Sequence, residues 1–237
     1  YFVMRDGESV KQGVDAHASK EFHELDPTST SQKMLDRIGR LLNARPLATG
    51  RYRAYLEPQV VGMLLRVMQF ALSGKTLIEG KSRFEGKLGQ RVASPLITLV
   101  DDPMHPEGLA NRPFDGEGTP TSRRVLIEEG VLRSFMHNSH TARRSRQENT
   151  GHASREYRST LGVGGTNLLL LPGEGVKVED GVILTELMGV HAGANPISGD
   201  FSLQALGLLA QGGETHPVEN FVISGNLYRL LEQVTAV

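Results

Sequence analysis

The spacing of apolar positions divides the chain into a helical first part and a longer strand-rich remainder. Apolar residues recur at helical spacing as far as Pro46, which predicts one amphipathic helix over about residues 31–43. The helix-starting signals lie just before it, at residues 26–30. The next apolar run, residues 60–72, is apolar on nearly every side. We therefore expect a second helix that is buried all round.

From about residue 91 the pattern changes to short β-rich runs separated by glycine, proline and aspartate, which is typical of antiparallel strands. Glu129-Gly130 lies between two runs and predicts a tight hairpin turn. A closing helix is predicted at 227–234. Strands are predicted at 96–100, 124–127, 131–136, 167–171, 182–187, 201–209 and 221–224. Because helices are few and 27 glycines serve the turns, we predict an α+β fold dominated by antiparallel strands.

Two regions are predicted along the chain. Residues 1–25 alternate apolar and polar positions around the Asp6-Gly7 turn, which predicts an edge hairpin or the end of a preceding N-terminal domain. Residues 26–237 then form one large β-rich domain. The chain opens on Tyr1, in what resembles a strand, so we expect further residues to precede it.

Composition narrows the function classes. With 26 basic against 27 acidic residues, the chain has no overall field that would attract nucleic acid or anionic lipid. It has no cysteine, which excludes disulfides, thiolate nucleophiles and thiolate metal sites. No apolar run approaches the roughly 20 residues that span a bilayer. These features predict a cytoplasmic protein that does not bind membranes, and they disfavour nucleic-acid binding unless it is local.

Histidines and arginines cluster in the middle of the chain. His137, His140 and His152 allow a metal cluster on spacing alone, but no carboxylate stands in obvious register with them. The arginines of residues 143–158 would oppose a nearby cation. We therefore favour a solvated or substrate-facing basic loop. Asp101-Asp102 is either a cation or acid/base pair or, more often for such a pair, the cap of a turn.

Several stretches, taken in order, resemble the C-terminal domain of the TldD/PmbA family, the so-called modulators of DNA gyrase. They are residues 88–95 (LGQRVASP), 99–103 (LVDDP), 112–120 (RPFDGEGTP), 166–173 (TNLLLLPG), 189–202 (GVHAGANPISGDFS) and 221–226 (FVISGN). Their joint occurrence is far more specific than any one of them. The resemblance points to the PmbA/TldE branch of the family.

In the TldD branch, the resemblance implies a zinc metallopeptidase whose helix carries His-Glu-x-x-x-His. The equivalent stretch here is residues 66–71, where Arg66, Val67 and Ala71 replace both histidines and the glutamate. The family therefore implies a metal-free, non-catalytic subunit that pairs with a zinc-bearing TldD-like paralogue and handles unfolded peptides. A self-pairing homodimer that only binds peptides or ligands, and a direct modulator of DNA gyrase, stay open as alternatives. Arg66 would face solvent, pair with Glu57 or line the substrate chamber.

The segment 189–202 is the candidate peptide, chamber or interface loop, with His191, Asn195, Ser198 and Asp200 as its candidate contact residues. Its glycines could equally serve tight turns alone. Peptide binding would proceed by strand addition, in which an extended substrate pairs with an exposed sheet edge.

Overall fold

Strands outnumber helices in the computed structural model, which describes residues 1–237. The helices are α1 (Pro27–Gly39), α2 (Pro58–Leu72), α3 (Gly74–Ile78), α4 (Ser139–Ser145), α5 (Val190–Gly193) and α6 (Leu227–Glu232). The strands are β1 (Phe2–Asp6), β2 (Ser9–Gly13), β3 (Ala54–Leu56), β4 (Leu99–Asp101), β5 (Arg124–Glu128), β6 (Val131–Leu132), β7 (Ala153–Ser154), β8 (Gly162–Val163), β9 (Leu168–Leu170), β10 (Gly181–Met188), β11 (Asp200–Gln211) and β12 (Glu214–Asn226). Most strand pairs are antiparallel, whereas β3 and β10 are parallel. The predicted α+β class is confirmed.

The chain forms two compact units. The first contains Tyr1–Met63, Lys177–Gly193 and Ser202–Ile223, and the second contains Leu64–Val176, Ala194–Phe201 and Ser224–Val237. The boundary predicted after residue 25 lies within the first unit. That division into domains stays a prediction.

The first unit begins with the expected hairpin, β1 paired with β2. The end of β2 lies close to α1, because a Cβ at Gly13 would be 2.8 Å from Sδ of Met34. Strands β12, β11, β10 and β3 follow one another in a four-stranded sheet. Leu206 and Leu208 of β11 form a buried cluster with Leu41.

Helix α1 begins and ends earlier than the predicted 31–43. Asp26 is its N-cap and accepts a hydrogen bond from Ser29 N at 2.9 Å, and Pro27 occupies the first turn, where its missing N–H costs nothing. The helix ends at Gly39. Asn43, with a φ of 55°, completes the turns that follow.

The second unit contains the sheet β6-β5-β4-β9. Glu129 and Gly130 both have positive φ, 46° and 79°, and the tight hairpin turn predicted there is confirmed. Strand β6 stops well short of the predicted residue 136. The reason is that Met136 pairs elsewhere: its N–H donates to Leu72 O and its carbonyl accepts from Gly74 N. Side chains with no solvent exposure form the core of this sheet: Leu99, Val100, Leu126, Ile127 and Leu132.

Helix α2 is not buried all round as predicted. Val60, Leu64 and Met68 are buried, whereas Gly62 and Arg66 are exposed. Gly62 and Arg66 stand four residues apart and therefore share one face of the helix. None of the helices in the chain is both long enough and apolar enough to cross a membrane.

Candidate functional site

Helix α2 carries the positions at which the family resemblance places zinc chemistry. Arg66 is exposed, Val67 is half-buried and Ala71 has no solvent exposure. Zinc requires nitrogen, sulfur or oxygen ligands with a free lone pair, which valine and alanine lack and a permanently charged guanidinium cannot offer. These residues do not fit a zinc ion. No group of three or more His, Asp or Glu side chains anywhere in the chain is placed to hold a metal ion.

The exposure of Arg66 bears on the three roles expected for it. Glu57, one of its expected partners, instead binds Arg40 at 3.0 Å. The pairing of Arg66 with Glu57 is therefore wrong, and the side chain faces solvent in the single chain. Its role in lining a substrate chamber stays a prediction.

The loop of residues 194–201 in the second unit is organised by its own polar side chains. Asn195 Oδ1 accepts hydrogen bonds from Ile197 N at 2.9 Å and Ser198 N at 3.2 Å. Ser198 Oγ accepts from Asp200 N at 3.2 Å. Asn195, Ser198 and Asp200 are all exposed, so each remains accessible while it shapes the turn.

Asn226, for which the sequence predicts no role, links this loop to the start of α6. Its Nδ2 donates to Ser198 O at 2.9 Å and to Asp200 Oδ1 at 2.8 Å. Its Oδ1 caps α6 by accepting from Tyr228 N and Arg229 N. The hydrogen bond from Asn226, followed by that from Ser198, holds the pKa of Asp200 below its ordinary value. The loop therefore keeps a carboxylate in a fixed, ionised state.

Gly199 shows why this loop needs glycine. Its φ is 84°, and a Cβ there would lie 2.3 Å from the ring of Tyr228. The Tyr228 hydroxyl donates to Pro196 O at 2.6 Å, which locks the ring in place. The tight-turn explanation thus accounts for Gly199 in full, whatever else the loop does.

His191 is not part of this group. It lies on α5 in the first unit, where it is exposed. The structure brings Asn195, Ser198 and Asp200 together with Asn226, and their function in peptide binding or at an interface stays a prediction.

A buried polar network in the second unit contradicts the expectation that no carboxylate stands in register with the histidines. His152 Nε2 lies 3.2 Å from Asp101 Oδ2, and the two side chains are 2% and 1% exposed. Asp101 also accepts from Thr166 N at 2.7 Å and from Thr166 Oγ1 at 2.6 Å. Burial alone would raise the pKa of Asp101, but the hydrogen bonds from His152 and Thr166 bring it below its ordinary value.

Asp102, in contrast, caps a turn: its Oδ1 accepts from Met104 N at 3.0 Å. The turn-cap hypothesis therefore holds for Asp102 and fails for Asp101. The two neighbours differ because Asp101 is the last residue of the buried strand β4, whereas Asp102 lies just beyond the end of that strand.

The network continues from His152 to His137. His152 Nδ1 contacts Thr150 Oγ1 at 2.8 Å, and the same oxygen accepts from His137 N at 2.6 Å. Both ring nitrogens of His152 are thus occupied, and Thr150 is itself buried. A His, an Asp and a hydroxyl in this order suit proton transfer chemically, but none of them is accessible to a substrate. This part of the network is structural.

His137 differs from His152 in one respect. Its Nδ1 contacts Thr141 Oγ1 at 3.2 Å, whereas its buried Nε2 has no hydrogen-bond partner. Burial first, and then the neighbouring His152 and Arg124, lower the pKa of His137 from 6.5 to about 4. The imidazole is therefore neutral at physiological pH. His140 is exposed, and the three histidines do not form a group that could hold a metal ion.

The arginine-rich stretch follows the pattern expected of a solvated basic loop. Arg155 and Arg158 are exposed, and Arg158 stacks at 5.0 Å on the ring of Tyr157, which is 85% exposed. The other arginines of the stretch are also exposed: Arg143, Arg144 and Arg146.

Comparison with known proteins places this architecture in a family. Residues 49–237 match the model of the PmbA/TldA metallopeptidase C-terminal domain. The chain is similar to the solved structure of TldE from Thermococcus kodakarensis, with a TM-score of 0.90 and 29% identity over 99% of this chain and 55% of that one. It is similar to a candidate modulator of a DNA gyrase from Thermotoga maritima, with a TM-score of 0.89 and 32% identity over 99% of this chain and 55% of that one.

Metalloprotease PmbA from Escherichia coli O157:H7 is 29% identical over 83% of this chain and 43% of its own length. The chain thus spans about half the length of the relatives that it matches. Since the family model matches most of the residues, this chain belongs to the PmbA/TldD family of metallopeptidases.

Proposed function

We propose that this chain is part of a metal-free, non-catalytic subunit of a cytoplasmic TldD/TldE-type metallopeptidase complex. The observation that carries the proposal is the composition of α2, where Arg66, Val67 and Ala71 offer neither a zinc ligand nor a general base. Zinc-dependent peptide hydrolysis requires both. The chemistry would come from a zinc-bearing TldD-like paralogue, and this chain would bind the unfolded peptide and its partner.

The outer edge of β12 supports the peptide-binding part of the proposal. Arg45 occupies this edge at one point, donating to Pro217 O and accepting from Glu219 N. Main-chain groups two residues apart in a strand face the same edge, so those of Phe221 and Ile223 continue it beyond Glu219. An extended peptide can pair with such groups through its main chain, which gives affinity with little sequence preference.

The decisive experiment measures hydrolysis of an unfolded polypeptide, with zinc content assayed in parallel. Three samples are compared: this protein, a zinc-bearing paralogue from the same genome, and their mixture. We expect full activity only in the mixture, with zinc carried by the paralogue. Zinc-dependent activity of this protein by itself would refute the proposal. Peptide binding with hydrolysis in none of the samples would favour the homodimeric binding module instead.

The strand-addition step is tested with a pair of variants at one position. Ile223→Pro removes a main-chain N–H from the outer edge of β12 but leaves the ladder to β11 intact, and edge strands tolerate proline. Ile223→Ala removes the side chain and keeps the N–H, so it is the matched control. We expect Ile223→Pro to weaken binding of an unfolded peptide about tenfold relative to Ile223→Ala, measured by fluorescence anisotropy. Equal binding by the two variants would exclude this edge as the peptide site.

A further inference from the structure

A cleft of about 510 Å³ opens in the second unit beside the buried polar network. Its inner wall is formed by buried residues, among them Phe135, His137 and Thr150. Its rim is formed by exposed residues, among them Arg133, Arg146 and Glu148. A volume of this size falls within the range of small-molecule sites in proteins, roughly 300–1,000 Å³.

Two hydrogen-bonding atoms of the residues that line this cleft have no partner. His137 Nε2 and Arg124 Nε are both buried, and neither forms a hydrogen bond within the chain. Leaving a buried polar atom unpaired destabilises the fold, so such atoms are rare in native proteins and each calls for an explanation. His137 as a whole is 2% exposed. Unpaired atoms on two neighbouring residues of one cleft indicate a binding site.

The charge of the cleft favours an anion. Arg124, Arg133 and Arg146 all line it, against one acidic residue, Glu148. Arg133 Nε binds Glu128 at 2.9 Å, but both side chains are about half exposed, which leaves the outer guanidinium nitrogens free to bind elsewhere. Arg124 and Arg146 form no ion pair within the chain. A guanidinium matches the two oxygens of a carboxylate or phosphate with parallel hydrogen bonds.

We propose that this cleft binds the oxyanion group, carboxylate or phosphate, of a small molecule, held by Arg124 and Arg146 and by the imidazole of His137. The Thr141 hydroxyl accepts from Asn138 N and can donate either to Asn138 O or to His137 Nδ1. In the second arrangement the ring proton is on Nε2, which is then a donor. A neutral imidazole donates to an oxyanion without the cost of burying another charge beside Arg124. None of the residues that line this cleft belongs to α2 or β12, and the proposal does not depend on the proposed subunit role.

Isothermal titration calorimetry of the full chain tests the proposal with three probes: inorganic phosphate, triglycine and triglycinamide. Triglycinamide has no carboxylate and is the matched control for triglycine. Binding of phosphate, or of triglycine but not its amide, supports the site and identifies its anion. Failure of both phosphate and triglycine to bind at millimolar concentration would overturn it.

The location of the site is tested with charge-matched variants. Arg146→Gln removes a guanidinium from the rim, whereas Arg144→Gln makes the same change on α4 at a residue that does not line the cleft. We expect Arg146→Gln and Arg124→Gln each to weaken binding about tenfold or more, and Arg144→Gln to leave it within about twofold. Equal loss in Arg144→Gln and Arg146→Gln would show a nonspecific charge effect and refute the site.

A spectroscopic readout keeps the test decisive if Arg124→Gln does not fold. The His137 ring resonance is assigned as the one that disappears in His137→Asn. We expect this resonance to shift when the bound probe is added to the unmodified chain, while those of the exposed His140 and His191 stay in place. A His137 resonance that does not respond at saturating probe would place the ligand elsewhere.

Discussion

Helix α2 and the network around Asp101 present opposite cases of how residue type relates to chemistry. The family resemblance directs attention to α2, yet its key positions, Arg66, Val67 and Ala71, hold no group that could bind zinc. The network holds an aspartate, two histidines and three threonine hydroxyls, residue types that elsewhere serve catalysis. Most of its polar atoms form hydrogen bonds with one another.

The difference shows that the presence of reactive residue types does not by itself define a site. A binding cluster differs from a structural polar cluster in having a polar atom without a hydrogen-bond partner. His152 has both nitrogens engaged, whereas His137, one step further along the same network, has one nitrogen unpaired beside a cleft. Three predictions test this contrast. The first concerns Asp101, which pairs with the fully hydrogen-bonded His152.

Replacing Asp101 with alanine should have the largest effect. The change would leave His152 Nε2 and both donors of Thr166 without their acceptor in the interior, and removing one partner of a buried pair costs about 3–5 kcal/mol. The free energy of unfolding in urea measures this loss. Asp102→Ala is the control, since it removes a turn-capping bond and a long, partly solvent-exposed ion pair with Arg123, and should cost about 1 kcal/mol. Equal costs for the two variants would mean that the network does not stabilise the fold.

Lowering the pH should reduce stability through His137, whose Nε2 has no hydrogen-bond partner. His137 has a pKa of about 4 in the folded chain against an ordinary value of 6.5, so between these values the unfolded chain binds more protons than the folded one. Stability is therefore complete above pH 6.5 and is lost as the pH falls towards 4, by about 3 kcal/mol in total. Asp101, with its lowered pKa, adds its own loss only below its ordinary value of 3.8.

Urea unfolding at a series of pH values between 4 and 7 checks this, with His137→Asn as the comparison. The variant is expected to be less stable at neutral pH but to show a flatter dependence on pH. If its profile runs parallel to that of the unmodified chain, another group is responsible for the acid sensitivity.

Substitutions on α2 should have the smallest effects on the free energy of unfolding, and these effects should differ between the buried and the exposed position. Ala71 has no solvent exposure, so Ala71→Leu must overpack the interior and should cost about 1–3 kcal/mol. Arg66 is exposed, and Arg66→Ala should change the free energy of unfolding by less than about 0.5 kcal/mol. Thermal and urea unfolding of the two variants, measured in parallel, give both values. A large loss from Arg66→Ala would reveal a structural partner for this residue.

Local patterns predicted the elements of the fold better than their ends. The Glu129-Gly130 turn follows from local chemistry alone, because both residues must adopt positive φ in a two-residue hairpin. Strand β12 was predicted at only 221–224 but runs over Glu214–Asn226. The first half of β12 contains Pro217 and charged residues and lacks the alternating apolar positions that predict a strand. Most of these residues are exposed at the edge of the sheet, where apolar side chains and a main-chain N–H are not required.

The site required contacts that no local pattern contains. Asp101 and His152 are 51 residues apart, and their pairing depends on which residues the β-sheet brings together. Asn226 lies in a stretch that the sequence analysis singled out, but its link to Asp200 spans 26 residues and two elements. The absence of zinc ligands at the key positions of α2 could be predicted from residue type alone, because it does not depend on which residues lie close together in the fold.

Arg146, at the end of α4, has a φ of 57° and a ψ of 39°, a left-handed conformation that glycine adopts far more readily than arginine. Replacing it with glycine should relieve local strain of about 1 kcal/mol while removing a cation from the cleft. Directed evolution for heat resistance alone should therefore replace Arg146, whereas selection that also requires a functional cleft should retain it. Comparing the frequency of Arg146 after the two selections would show whether the organism uses the cleft.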